Sequence, residues 1–487
     1  MTVSQILGLS PQLVLLLAGL LVLALDLIWG EERKGWLPYV ALLGLAGTLA
    51  TTVALWGRGE ALFAGVFAVD PFALFFQIVA VLAAGLVILT SLGYFEGRTA
   101  YKGEFYSLLL FASLAITLMA AAVDLIMVYI SIEVLSITSY VLTGFLRQDR
   151  KSNEAAIKYF LYGAAASAAM LYGMSFLYGA TGSTNLAQIA AALTSASSVE
   201  PGSLSWLVVS AAVLLLVGFG FKVSAVPFHQ WAPDVYEGAP TPFTAFLSVG
   251  SKAAGFAVLM RVLLTALPDL SVDWVALVAA LSIVTMTLGN LVAIFQENIK
   301  RMLAYSSIAQ AGYILIGLVC WEPAGEFGGI SGVLLYLLAY LFTNLGAFTV
   351  VIAVEQATGS NEISDYAGLM RRNPWLAVAL FIFFLSLVGI PPTGGFLGKL
   401  LIFSAAIRLQ YYALAIIGVI NGVISLYYYY GVMRQAFFFP PRDETPIAAS
   451  PSLRLALAVA LVMTIGIVIF AQPFIELAQG ATTMLVF

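Results

Sequence analysis

Charge is scarce in this sequence: Asp, Glu, Lys and Arg make up 9% of its 487 residues, where a soluble protein carries about a quarter. A water-exposed surface cannot be built from so few charges, which excludes an ordinary soluble globular protein. Cysteine occurs once, at Cys320, excluding an internal disulfide framework and any multi-cysteine zinc or iron–sulfur site. Histidine also occurs once, at His229, so a redox metal ligated by this chain is not expected. The net charge of −4 is too small to suggest a nucleic-acid partner. The opening residues, "MTVSQILGLSPQLVLLLAGLLVLALDLIW", lack a basic n-region and a small-residue cleavage site, and they read as a retained first span. No dinucleotide fingerprint or nucleophile–base pairing is found. "GGFLGKLL" is not a phosphate loop, because Thr393 stands where GxxxxGK[ST] needs its first glycine and Leu400 replaces Ser/Thr.

What is present is apolar: 62% of residues are hydrophobic, in runs long enough to cross a bilayer as helices. Between turn signals the runs predict an all-α polytopic protein with fourteen transmembrane spans, at 11–29, 37–56, 71–92, 106–122, 124–146, 155–180, 205–227, 240–266, 272–295, 300–320, 330–354, 374–408, 411–435 and 453–478. Basic residues concentrate in cytoplasmic loops. With both termini outside, the inner loops and helix ends hold Arg33, Lys34, Arg98, Lys102, Arg147, Arg150, Lys151, Lys300, Arg301, Arg371, Arg372, Arg434, Arg442 and Arg454. The outer segments then hold only Arg58, Arg261 and Arg408. Residues 181–204 lack Lys and Arg and predict a short amphipathic helix on the outer surface.

The remaining four basic residues, Lys158, Lys222, Lys252 and Lys399, fall within spans. A charge at the centre of a span costs about 2.5–3.5 kcal/mol on insertion scales and needs a partner, water or a function. Glu133, near the middle of span 5, is the one acid at comparable depth. The plain alternative is a structural ion pair between Glu133 and one lysine, with the other lysines reaching toward the surface. That alternative explains Lys252 and Lys399 poorly, since both have long apolar flanks. Lys158 lies near the start of span 6, where Glu154 offers a solvated i,i+4 partner. Lysine suits proton handling, because desolvation and a nearby carboxylate act on its charged form in opposite senses. Arginine stays protonated.

Two spans carry helix breakers. Span 7 runs "VGFGFKVSAVPFHQW", with Lys222 just before Pro227, which denies the Val223 carbonyl its usual N–H partner. Span 12 holds "SLVGIPPTGGFLGKLLIF", where Pro391, Pro392, Gly394 and Gly395 preclude a continuous straight helix. Unwound backbone at membrane depth is tolerated where it meets protein or lines a wet cavity, and interrupted spans in corresponding halves point to a transport site. The halves divide the chain into residues 1–105 (spans 1–3), 106–266 (spans 4–8), 267–435 (spans 9–13) and 436–487 (a loop and span 14). Each five-helix set has its broken helix fourth, although lysine precedes the proline in span 7 and follows it in span 12.

The stretches "RKSNEAAIKYFLYGAAASAAMLYG", "FKVSAVPFHQWAPDVYEGAPTPFTAFLSVGSKAA", "IKRMLAYSSIAQAGY" and "NEISDYAGLMRRNPWLAVALFIFFLSLVGIPPTGGFLGKLLIF" resemble the subunit N family of the proton-pumping NADH:quinone oxidoreductase, respiratory complex I. They are also similar to the B subunit of its photosynthetic counterpart. The resemblance covers roughly residues 105–435; subunits L and M and cation/proton antiporters share the fold. It implies an antiporter-like fold with two pseudo-symmetric five-helix repeats, a membrane-arm location, and no flavin, iron–sulfur cluster or nucleotide site in this chain. FMN, iron–sulfur clusters and quinone would be used by other subunits. It further implies a proton relay of Glu133 paired with Lys222, then Lys252 and Lys399, with His229 at proton uptake or gating and Lys158 and Glu154 as further relay or gate residues, the role of Lys158 being the least defined. Implied partners are subunit M, small subunits such as K and J, the lipid bilayer, protons and water. The implied location is a bacterial plasma membrane, or a thylakoid membrane for a photosynthetic relative. The competing expectations are a cation/proton antiporter subunit and a structural membrane-arm subunit without a proton path.

Overall fold

The computed structural model describes residues 3–197, 205–268, 271–322, 328–441 and 443–483. Among these residues thirteen helices are long and apolar enough to cross a membrane, and span 12, split in two, makes the fourteenth. In order they are Ser10–Ile28, Leu37–Ala54, Pro71–Ser91, Lys102–Ala121, Leu125–Thr143, Arg150–Thr181 and Ser205–Val223. Span 8 is a composite of Thr241–Phe246, a π turn at Leu247–Ser251, and Lys252–Ala266. Then come Ser271–Ala293, Ile299–Val319, Gly329–Thr358, the pair Pro374–Val388 and Gly394–Arg408, Tyr412–Phe438 and Pro451–Ile469.

Six of these helices start where their sequence supplies a side-chain cap. Asp70, Asp124, Asp149, Asn298, Asn373 and Ser450 each accept a first-turn backbone N–H, satisfying donors that hydrocarbon leaves unpaired. Proline follows directly at Pro71, Pro374 and Pro451, where its missing N–H costs nothing.

Spans 8 and 11 are wholly covered by protein and span 10 nearly so, whereas spans 2, 6, 9 and 14 leave most of their apolar surface open. The charged residues of the middle spans therefore lie at the centre of the molecule. One end of the bundle carries residues 94–101, 145–151, 237–239, 298–300 and 359–362 around a common cavity. The other end carries a hairpin of Glu60–Leu62 with Phe67–Val69, bridged onward at Phe67–Ala122 and Asp124–Asn185.

Several expectations change. Arg261, counted with the outer segments near the end of span 8, is fully buried, with both carboxylate oxygens of Asp70 at 2.5 and 3.0 Å and the Ala120 carbonyl at 2.8 Å. Lys300, assigned to an inner helix end, is buried as well. Span 14 stops at Ile469, and Ala471–Thr482, with Pro473 in its first turn and polar Gln472, Glu476 and Gln479, forms a separate helix. The expected amphipathic helix in 181–204 is present as Leu186–Ser197; residues 198–204 and Arg442 lie outside the described residues. Span 7 resumes after its break as Trp231–Gly238.

Candidate functional site

The two breaks are built alike. After Val223, Ser224 adopts a left-handed conformation (φ 62°), and the Ala225 N–H bonds to the Gly220 carbonyl at 2.7 Å. After Val388, Gly389 does the same (φ 95°), and the Ile390 N–H bonds to Leu385 at 2.9 Å. This six-to-one closure is a Schellman cap. The Val226–Pro227 and Pro391–Pro392 peptides are both cis. In span 12 the second half seats against the first through Gly395, where a Cβ would collide with the Ser386 carbonyl.

Pro391 and Pro392 leave the carbonyls of Leu387 and Val388 without helical N–H partners, since each proline stands four residues on. The Lys399 ammonium occupies both, at 2.8 and 2.9 Å, and lies 4.1 Å from the centre of the Tyr313 ring. The prolines thus create the cradle that the lysine fills.

Lys252 begins the helix directly after the π turn of span 8, a local widening often found at functional positions. Its ammonium donates to the carbonyl and hydroxyl of Ser307 on span 10, at 2.6 and 2.5 Å. The Tyr236 hydroxyl, carried in by the second half of span 7, sits 3.1 Å from the same serine oxygen. Lys222 donates to Ser136 on span 5 at 3.0 Å. Its stem packs on span 8 beside Gly255, one turn beyond Lys252, where a Cβ would lie 3.2 Å from the Lys222 Cγ.

The expected direct pairing of Glu133 with Lys222 is not formed. Glu133 is half-buried and accepts a hydrogen bond from Ser167 of span 6. Ser136, which takes the lysine, stands one turn along span 5 from Glu133, so the two charges share a helix face without touching. Among the described residues Lys222, Lys252 and Lys399, 3%, 2% and 4% exposed, make no ion pair within 4.0 Å. Each ammonium rests on neutral oxygens.

Span 10 joins the second lysine to the third. Ser307 holds Lys252, and Gln310, one turn on, donates to the Leu387 carbonyl at 3.0 Å, the acceptor it shares with Lys399. Gln310 also accepts from the Tyr336 hydroxyl, and Ser306 meets the Tyr429 hydroxyl at 2.5 Å. None of these neutral residues was singled out from the sequence. The available signal was the polar run "YSSIAQAGY" inside an otherwise apolar span.

Lys158 belongs to a different assembly. It pairs with Glu154 at 2.7 Å, as its i,i+4 spacing predicts, and with Asp234 at 2.6 Å. Asp234 and Glu237 both bind Arg301, at 2.7 and 2.9 Å, and Glu237 binds Lys151 at 2.8 Å. This is a partly exposed network at the cavity end of the bundle. His229 lies half-buried on the turn between the halves of span 7, and no hydrogen bond joins it to Glu133, Lys222 or Lys252 among the described residues. No group of three or more His, Cys, Asp or Glu side chains among them is arranged to hold a metal ion.

Fourteen spans with two broken helices, enclosing a row of buried lysines, define an antiporter-like membrane subunit. Residues 122–425 match the family described as NADH:quinone oxidoreductase/Mrp antiporter, TM. The chain belongs to that family. It is 42% identical to NADH-quinone oxidoreductase subunit N of Trichlorobacter lovleyi, over 98% of this chain and 96% of that protein. It is 44% identical to NAD(P)H-quinone oxidoreductase subunit 2 of a Synechococcus species, over 97% and 90%. A chain in the structure of respiratory complex I from Thermus thermophilus with bound aureothin superposes with a TM-score of 0.80 at 33% identity, covering 96% of this chain and all of that one. A chain of the Mrp complex from Dietzia shares the fold, with a TM-score of 0.84 at 24% identity over 100% and 99%.

Proposed function

We propose that this chain is a proton-translocating membrane-arm subunit of an NADH:quinone oxidoreductase, moving protons through a relay of Glu133, Lys222, Lys252 and Lys399. The observation that carries the reading is the row of three buried ammonium groups on neutral oxygens, the second and third bridged by Ser307 and Gln310. A buried ammonium without a touching carboxylate is stabilised only by its hydrogen bonds and by more distant charge, so a change in one neighbour's charge alters its hold on a proton. Lys399 first releases its own proton and becomes a neutral amine; proton transfer from the Lys252 ammonium then leaves a neutral amine beside Ser307 and restores the ammonium at Lys399.

The reading includes several finer elements. Residues 106–266 and 267–435 are the two pseudo-symmetric repeats, supported by the shared Schellman caps of spans 7 and 12. Both termini face outward and the cavity end faces inward, in keeping with the basic residues gathered there. The membrane is a bacterial plasma membrane or a thylakoid. Subunit M and small subunits such as K and J are its neighbours, and the redox cofactors belong to other chains of the translocase. His229 serves proton uptake or gating beside the break, and Lys158 with Glu154 is a further relay or gate pair at the inner end.

The test is proton translocation and quinone reduction measured side by side in reconstituted complexes carrying Glu133→Gln, with assembly verified. Loss of both supports the relay. Retention of both, together with retention in Lys222→Ala, assigns the chain a scaffold role.

A further inference from the structure

A fourth lysine shares the environment of the three in the relay. Lys300, 2% exposed, stands in the first turn of span 10 and donates to the Ala239 carbonyl at 2.7 Å, at the junction of spans 7 and 8. Among the described residues it makes no ion pair within 4.0 Å. It lines the cavity of about 1150 Å³ at the basic end of the bundle, together with Glu355 and Arg98.

Two polar seams lead inward from that cavity to Lys252. On span 10, Ser307 lies seven residues from Lys300, on the same helix face and about 10.5 Å deeper, and it is Ser307 that holds Lys252. On span 8, Thr241, Thr244, Ser248 and Lys252 recur every three to four residues, and all four are buried. Between the seams Tyr236 meets Ser307. Asn344 donates to Ser248 at 2.6 Å, and its buried Oδ1 has no hydrogen-bond partner among the described residues. A free acceptor of that kind is a seat for the ordered water that a proton step of this length requires.

Glu355 closes the mouth. It is 8% exposed and accepts from Arg98 at 2.8 Å, Tyr94 at 2.9 Å and Thr241 at 2.5 Å. It therefore ties the cavity wall to the first residue of the span 8 seam. The charged groups facing Lys300 are Glu355 from span 11, Glu237 from span 7, Asp149 before span 6 and Arg98 after span 3.

We propose that Lys300 passes protons from the cavity to Lys252, with Glu355 as the positioning counter-charge at the mouth. This rests on the relay reading above. The proton arrives from cavity water, resides on the Lys300 amine as an ammonium, and leaves along the Ser307 seam, so no charge or atom is gained overall.

The test uses intact complexes in liposomes carrying Lys300→Gln, Lys300→Arg or Lys252→Gln, with assembly, quinone reduction, translocation and its dependence on cavity-side pH recorded. Both Lys300 variants assemble and lose at least about tenfold in translocation, modest beside the ~10²-fold of a positioned proton-transfer group. Arginine does no better than glutamine, because a guanidinium keeps its proton. Full recovery with arginine makes Lys300 a static cation and overturns the proposal, as does failure of both variants to assemble. Normal translocation in both, with Lys252→Gln impaired, defeats this proposal alone. Normal translocation in Lys252→Gln as well defeats the relay itself. Glu355→Gln displaces the pH profile; an unchanged profile removes Glu355 from the mouth.

Discussion

In span 7 the helix ends at Val223, turns left-handed at Ser224 and meets Pro227 three residues later; in span 12 it ends at Val388, turns left-handed at Gly389 and meets Pro392 three residues later. The backbone device is shared, but the charge it presents is not. Ten residues past the left-handed position, span 12 has Lys399 and span 7 has Asp234; two residues before it, span 7 has Lys222 and span 12 has Leu387. Lys399 turns back onto the carbonyls its own prolines freed, one of them that of Leu387. Asp234 points instead into the ion network of Lys158 and Arg301. A repeated backbone break thus serves a buried cation in one half and a partly solvated anion in the other.

The largest effect is expected where the second break admits no side chain. Gly395→Val drives a side chain into the Ser386 carbonyl, and overpacking of this kind costs about 3 kcal/mol or more. The complex should fail to retain the chain, which quantification of membrane-arm subunits would detect; normal assembly would mean that span 12 tolerates a wider break than its geometry implies.

Next in size is Lys399→Leu, expected to assemble and to lower proton translocation at least about tenfold, set against the ~10² typical of a positioned proton-transfer group. If Lys222→Leu is equally damaging while Asp234→Asn is mild, the relay follows the lysines and not the break register. Asp234→Asn itself should cost no more than about 1 kcal/mol per pair lost, because the network is partly exposed and screened by salt. A tenfold loss of translocation in Asp234→Asn would show that the first half uses its break-register residue as the second half uses Lys399.

The smallest effects concern the left-handed residues and have opposite signs. Ser224→Gly relieves a conformation that L-residues adopt at a cost of about 1–2 kcal/mol and should raise thermal stability slightly. Gly389→Ala imposes that cost, brings a Cβ to 2.8 Å from the Lys399 stem, and should lower stability by more than Ser224→Gly raises it. A small rise for Ser224→Gly and a larger fall for Gly389→Ala in the melting temperature of the purified complex would confirm that both caps depend on the left-handed residue; shifts of the same sign would refute it.

Much of this architecture was legible beforehand because the bilayer imposes it. Twenty apolar residues make a span, and prolines in sequence mark the breaks. Lys222, Lys252 and Lys399 stood out because a charge among apolar residues is expensive wherever it lies in the fold. The glutamate–lysine contact did not follow, since each residue found a hydroxyl partner instead: Glu133 takes Ser167 of span 6, and Lys222 takes Ser136, one turn from Glu133 on span 5. Ser307 and Gln310 were not distinctive as residue types. Hydroxyls in this chain commonly bond back to their own helix, as Ser113 and Thr138 do, so a serine in a span carries little information by itself. The burial of Arg261 was not legible because its counter-ion, Asp70, lies 191 positions away.

The sequence by itself determined the number of spans, the breaks, the caps that start six of the helices and the burial of Lys222, Lys252 and Lys399. Each follows from local chemistry: hydrocarbon length, a missing N–H, a side chain that accepts a first-turn donor, the cost of a charge. Only the tertiary structure decided what each lysine touches. A bare ammonium in a protein interior takes whichever oxygen packing brings within 3 Å, and those oxygens are supplied by helices remote in sequence, or by carbonyls whose freedom depends on where a helix is broken.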